Sequence, residues 1–133
     1  MKTYKFILLL AMIAPLVFSG CAIHSWSRET VAEESTFLTL HAIDGMQTAN
    51  IAHVNCGGMI GCHEEESAWA IGKEPSAQST AAYFAAIALI HLAVTNYLCA
   101  HHANPWVIRG WELIGIAWNV RDVRNNMELG IRP

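Results

Sequence analysis

The segment "HAIDGMQT" sets His41, Asp44 and Thr48 three and four residues apart, so on a helix all three fall on one face. An imidazole beside a carboxylate is a proton donor–acceptor pair, and either group can ligate a metal. Two later segments repeat the arrangement, His91 with Thr95 and Glu112 with Asn119. If the helices that carry them meet, these stripes form an interior polar site for a proton relay or a metal ion. The competing reading makes the same groups interhelical hydrogen bonds that fix packing, each contributing ~0.6 kcal/mol. Neither H-E-x-x-H nor Glu-x-x-His occurs, which favours packing. No nucleophile–base pair stands at readable spacing. The sequence therefore predicts no catalytic residue, no resident metal or cofactor, and no enzyme.

A second group of reactive side chains surrounds "NCGGMIGC". Cys56 and Cys62 are separated by five residues, with His53 and His63 beside them and Glu64, Glu65 and Glu66 following. In an oxidising compartment a Cys56–Cys62 disulfide is the plain expectation. Zinc is disfavoured because Cys-x5-Cys misses the usual Cys-x2-4-Cys spacing. Cys62-His63 is not a haem attachment either, which requires Cys-x-x-Cys-His. The acidic run reads as a solvated charge cluster. Cys99 is left over in an apolar segment, where a thiol is inert.

Composition narrows the class. The chain has 133 residues, 53% of them hydrophobic and only 14% charged, against ~25% charged in soluble domains. A net charge of −3 offers no basic face for nucleic acid. There is no phosphate-binding glycine loop, no G-x-S-x-G and no internal repeat.

Lys2 and Lys5 precede an apolar run from Phe6 to Phe18 that is interrupted by Pro15. That is the layout of an export signal, and the run is short against the ~20 residues a bilayer requires. Its end, Val17-Phe18-Ser19-Gly20-Cys21, resembles the lipobox of bacterial lipoproteins, with Phe18 where that family usually has Leu. The resemblance implies cleavage before Cys21, a diacylglyceryl group on its sulfur and a fatty acid on the new amine. It implies a cell-envelope location, and Ala22 after the cysteine leans towards the outer membrane. Two or more chains would hold the protein firmly, at ~0.8 kcal/mol per buried CH₂.

The expected organisation is a signal peptide over 1–20, a polar tether over 21–36 and a helical membrane-associated domain over 37–133. Arg28, Glu29, Glu33 and Glu34 mark the tether, and Ser35-Thr36 are placed to cap the next helix. Phe37, Leu40, Ile43, Ile51 and Val54 recur at helical spacing. A loop follows as far as Ser79, punctuated by Pro75-Ser76. Residues 80–100 lack a formal charge and predict a spanning helix; seven strong apolar side chains contribute about −2 to −4 kcal/mol to insertion, opposed by His91 and Asn96. Ala82 and Ala86 form a small-x-x-x-small pair for close helix approach. Pro105 suits the start of a third helix, whose tail carries Arg121, Arg124 and Arg132, as a cytoplasmic end would.

The fold class expected is all-α, a small membrane-associated bundle of about three helices after the signal peptide. Either three helices insert in the inner membrane, or a compact domain hangs from the lipid with 80–100 as its buried centre. Insertion is preferred, although it opposes the outer-membrane leaning of Ala22. In a bilayer Asp44 would cost about 2.5–3.5 kcal/mol, so it must be paired, protonated or wet, and it becomes a functional suspect.

Residues 37–133 also resemble a group of small proteobacterial lipoproteins and membrane proteins. In that group H-x-x-D-x-x-x-T precedes E-x-N-P, a G-x-x-P-S turn, an aromatic-alanine helix and a terminal G-I-R. The matches are His41, Asp44, Thr48, Glu66, Gly72, Pro75, Ser76, Tyr83-Phe84 and "GIRP", with Ala68-Trp69 replacing Asn-Pro. The resemblance implies architecture and carries no activity. The expected role is structural or interactive, through the membrane and a protein partner or second copy. The alternative is an intramembrane site on His41, Asp44 and His91.

Overall fold

The computed structural model describes residues 26–51, 55–56, 59–60, 67–73 and 75–133. The signal segment, Cys21, Cys62, His53, His63 and Glu64–Glu66 lie outside the described residues, so the lipidation site and the Cys56–Cys62 pairing do too.

Helix α1 runs from Arg28 to Asn50. It begins well before Phe37, and the reason is a better cap: the Ser27 side chain accepts the Thr30 N–H at 3.1 Å. Ser35 and Thr36, expected to cap, lie inside the helix and donate to the carbonyls of Val31 and Ala32 at 2.7 and 2.8 Å. Thr39 does the same to Ser35 at 2.8 Å. The tether reading of 21–36 is thus corrected from Arg28 onwards. Glu29 sits in the first turn, where a negative charge is favourable beside the helix N-terminus.

Beyond α1, Asn55–Cys56 (β1) and Met59–Ile60 (β2) make a minimal antiparallel pair, with Asn55 opposite Ile60 and Cys56 opposite Met59. A single helical turn, α2, spans Ala68–Ile71 and stops at Gly72, whose φ of 84° suits glycine. Helix α3 spans Ala77–Ala100, capped by the Ser76 hydroxyl, which accepts the Ser79 N–H at 3.0 Å. Helix α4 spans Pro105–Glu128. Asn104 Oδ1 accepts the Trp106 N–H at 2.9 Å, and Pro105 opens the helix as expected. Of the expected arginine tail, Arg121 and Arg124 lie within the helix, Arg124 paired to Glu128 at 2.8 Å, and Arg132 lies beyond it. After Leu129 the chain turns at Gly130 and buries Ile131 completely. Gln47 Nε2 donates to the Ile131 carbonyl at 3.2 Å, and Asn50 Nδ2 to that of Arg132 at 3.2 Å.

The result is an all-α bundle in which α1 packs on both arms of an α3–α4 hairpin. Close approach is set by glycine. A Cβ on Gly45 would stand 3.0 Å from the Phe84 ring, and one on Gly115 only 2.8 Å from His91 Nε2. The expected pair Ala82 and Ala86 points outward instead; Ala81 and Ala88 are the alanines that α3 buries.

The distribution of polarity is inverted. Among the described residues thirteen buried side chains are polar or charged and nine are apolar, while thirteen large apolar ones are exposed. Soluble proteins keep charged groups outside unless they are paired. Only 28% of the apolar stretch of α3 is buried within the bundle, so α3 is not the buried centre of a compact domain. Leu89, Ile90 and Tyr97 on α3 and Trp106, Val107, Leu113, Ile114 and Trp118 on α4 are exposed.

Candidate functional site

The buried positions of α1, Thr30, Glu34, Phe37, Leu38, His41, Asp44 and Thr48, recur every three to four residues and make one stripe facing the hairpin. On α3 the matching stripe contains Phe84, Ala88, His91, Thr95 and Cys99; on α4 it contains Glu112, Asn119 and Asp122. Sealing these stripes together creates three polar clusters along the bundle.

The first joins all three helices. His91 Nδ1 lies 3.1 Å from Glu34 Oε2 and 3.3 Å from Oε1. Thr95 Oγ1 lies 2.9 Å from Glu34 Oε2 and 2.7 Å from Glu112 Oε1. Glu34, Thr95 and Glu112 are 1%, 0% and 0% exposed and His91 5%. The His91 ring is clasped between Phe37, with centroids 3.6 Å apart, and Trp111 at 4.8 Å. Two atoms of this cluster, His91 Nε2 and Glu112 Oε2, have no hydrogen-bond partner among the described residues.

Proton counting constrains it. A threonine hydroxyl has one hydrogen to donate, yet Thr95 touches two carboxyl groups. It can donate in full to only one of them, so an extra proton or a cation must accompany the pair. Two bare carboxylates this close and this dry are strongly unfavourable. At the rim, Arg109 meets Glu33 at 3.3 Å and ties α4 to α1, but Arg109 is 55% exposed.

The second cluster is centred on His41. Its Nδ1 lies 2.9 Å from Asn119 Oδ1, and its Nε2 lies 3.1 Å from the Phe84 carbonyl. Asn119 is oriented by donating Nδ2 to the Gly115 carbonyl at 2.8 Å. Both ring nitrogens thus face oxygen acceptors, and a neutral imidazole donates to one of them. In the third cluster Asn126 Nδ2 donates to Asp44 Oδ1 at 2.9 Å and to Gln47 Oε1 at 3.3 Å.

All five residues expected in an interior polar site are buried on facing stripes. His91 and Glu112 come together in one cluster, whereas His41 and Asp44 each bond to a separate residue of α4, and Thr48 is buried further along α1. The sequence reading missed Glu34, assigned to the tether by its charged neighbours. Extending the α1 stripe back one more heptad from His41 finds it. Cys99 is a free, buried thiol, as expected.

Comparison with known protein families, curated proteins and solved structures gives no match. The site is therefore interpreted from its own chemistry.

Proposed function

We propose that this chain is a lipid-anchored protein of the bacterial cell envelope whose helical bundle lies in the membrane, and that its activity resides in the polar interior. The observation that carries this reading is the inversion: hydrogen-bonded ionisable groups inside, and many exposed large apolar side chains on α3 and α4. In lipid that arrangement is favourable, because apolar side chains face hydrocarbon and intramembrane polar groups face the bundle interior. Among the described residues α3 alone is both long and apolar enough to cross a membrane; its 24 residues extend ~36 Å, against a ~30 Å hydrocarbon core. The hydroxyls of Ser35, Thr36 and Thr39 are bonded to their own helix, which blunts the polarity of that stretch, while Arg28 and Glu29 stay exposed in the first turn of α1. A glutamate–histidine–glutamate cluster in such an interior handles protons or cations.

The test is membrane fractionation with an alkaline wash, joined to intact mass of the purified protein. The expected result is retention in the washed membrane and a mass equal to the chain from Cys21 plus lipid. Release by the wash removes the membrane reading, and a mass matching the unprocessed chain removes the anchor.

A structural or interaction role is the second reading. It is favoured by the Asp44–Asn126–Gln47 and His41–Asn119–Gly115 bonds, which hold α1 against α4 whatever else the bundle does.

A further inference from the structure

We propose that Glu34, His91 and Glu112 form a binding site for one divalent transition-metal ion, held at the point where α1, α3 and α4 meet. One ligand atom from each, a carboxylate oxygen, a ring nitrogen and a second carboxylate oxygen, lie within 4.8 Å of one another. All three side chains are at least nine-tenths buried, so this is not a surface acidic patch. One nitrogen and two carboxylate oxygens suit zinc, manganese, iron or cobalt better than calcium or magnesium, which favour all-oxygen sites.

Two independent features point to a missing positive charge. Glu112 Oε2 is a buried polar atom without a hydrogen-bond partner among the described residues, a costly condition in a solvent-excluded interior. The Thr95 hydroxyl cannot donate to both Glu34 and Glu112. A divalent ion balances the two carboxylates and lets Thr95 serve as donor to one of them. In its absence a proton must be shared between the carboxyls. Binding the ion sends that proton to solvent, and metal and proton compete for the site.

The surroundings are built to hold these ligands still. Phe37 and Trp111 clasp the imidazole from its two faces, and Gly115 leaves no side chain where His91 Nε2 stands. This inference rests on the reading of the interior as the working part of the molecule; it does not require the bundle to be in lipid.

The experiment uses the full-length protein purified in detergent, stripped with chelator, and titrated with Zn²⁺ and separately with Co²⁺. The expected result is one equivalent bound with proton release, and Co²⁺ absorption typical of nitrogen–oxygen coordination. E112Q and H91Q are expected to weaken binding by more than about tenfold, with helicity unchanged by circular dichroism, while E33Q at the rim is expected to bind as the parent does. Infrared spectra of the unsubstituted protein give a readout free of folding effects: the protonated-carboxyl band of the stripped protein disappears when Zn²⁺ is added. No bound metal, a carboxyl band that persists with Zn²⁺, or equal binding by E112Q and H91Q each overturn the proposal. The last outcome places the metal away from the junction of α1, α3 and α4. Fractionation reports separately on membrane location, so a soluble protein that binds metal fails only the membrane reading.

Discussion

His91 Nδ1 stands 3.1 Å from Glu34 Oε2, linking the middle of α3 to the second turn of α1 across a dry interface. Removing the Glu34 carboxyl leaves His91 Nδ1 and the Thr95 hydroxyl each with one buried hydrogen-bond partner fewer. Glu34→Ala is expected to destabilise the bundle by about 2–4 kcal/mol. Glu112→Gln is expected to shift the stability of the metal-free protein by no more than about 1 kcal/mol, because the amide removes one of two like charges and resembles the protonated acid. Thermal unfolding in detergent without metal compares the two. A loss for Glu112→Gln as large as for Glu34→Ala contradicts the shared-proton description.

Glycines on α4 separate close packing from helix propensity. Gly115→Ala places a methyl 2.8 Å from His91 Nε2 and 2.9 Å from Phe37 Cδ2, and a loss of about 1–3 kcal/mol is expected. Gly110→Ala meets nothing within 4 Å and is expected to gain up to about 1 kcal/mol from the better helix former. The same unfolding assay reads both, and equal changes would show that α4 does not pack as described.

Asp44→Asn tests where the chemistry is. Asn126 donates to Asp44 Oδ1, and an asparagine side chain keeps that acceptor, so a change of less than about 1 kcal/mol is expected. With function placed at Glu34, His91 and Glu112, the D44N variant is expected to keep its metal stoichiometry and any envelope phenotype. Loss of either with the fold intact would move the working site to Asp44.

The helix start offers a local check. Ser27→Ala removes the acceptor of the Thr30 N–H and is expected to cost about 1 kcal/mol. Ser35→Ala is expected to cost less, since that hydroxyl bonds only the carbonyl of Val31 on the exposed face. Amide exchange at Thr30 would report the difference directly.

The all-α class, the apolar 80–100 helix and the Asn104-Pro105 entry to α4 were legible because each follows from contiguous residues. Charge alone misplaced Glu34: a run with Arg28, Glu29, Glu33 and Glu34 looks solvated until a histidine 57 positions away supplies the partner. The contact glycines were missed for a related reason. Ala82 and Ala86 have the spacing of a helix contact, but the side of α3 that meets α1 is decided by His91 and Thr95 seeking Glu34. Local spacing defines stripes; pairing between helices decides which stripe is turned inward.

The stacking of Trp111 on His91, with ring centroids 4.8 Å apart, gives the bundle an intrinsic optical probe. An indole in face contact with an imidazole has an emission that depends on whether that imidazole is neutral, protonated or coordinated. Changes of state at the junction of α1, α3 and α4 are then visible from a chromophore already seated there, with no label attached to the protein.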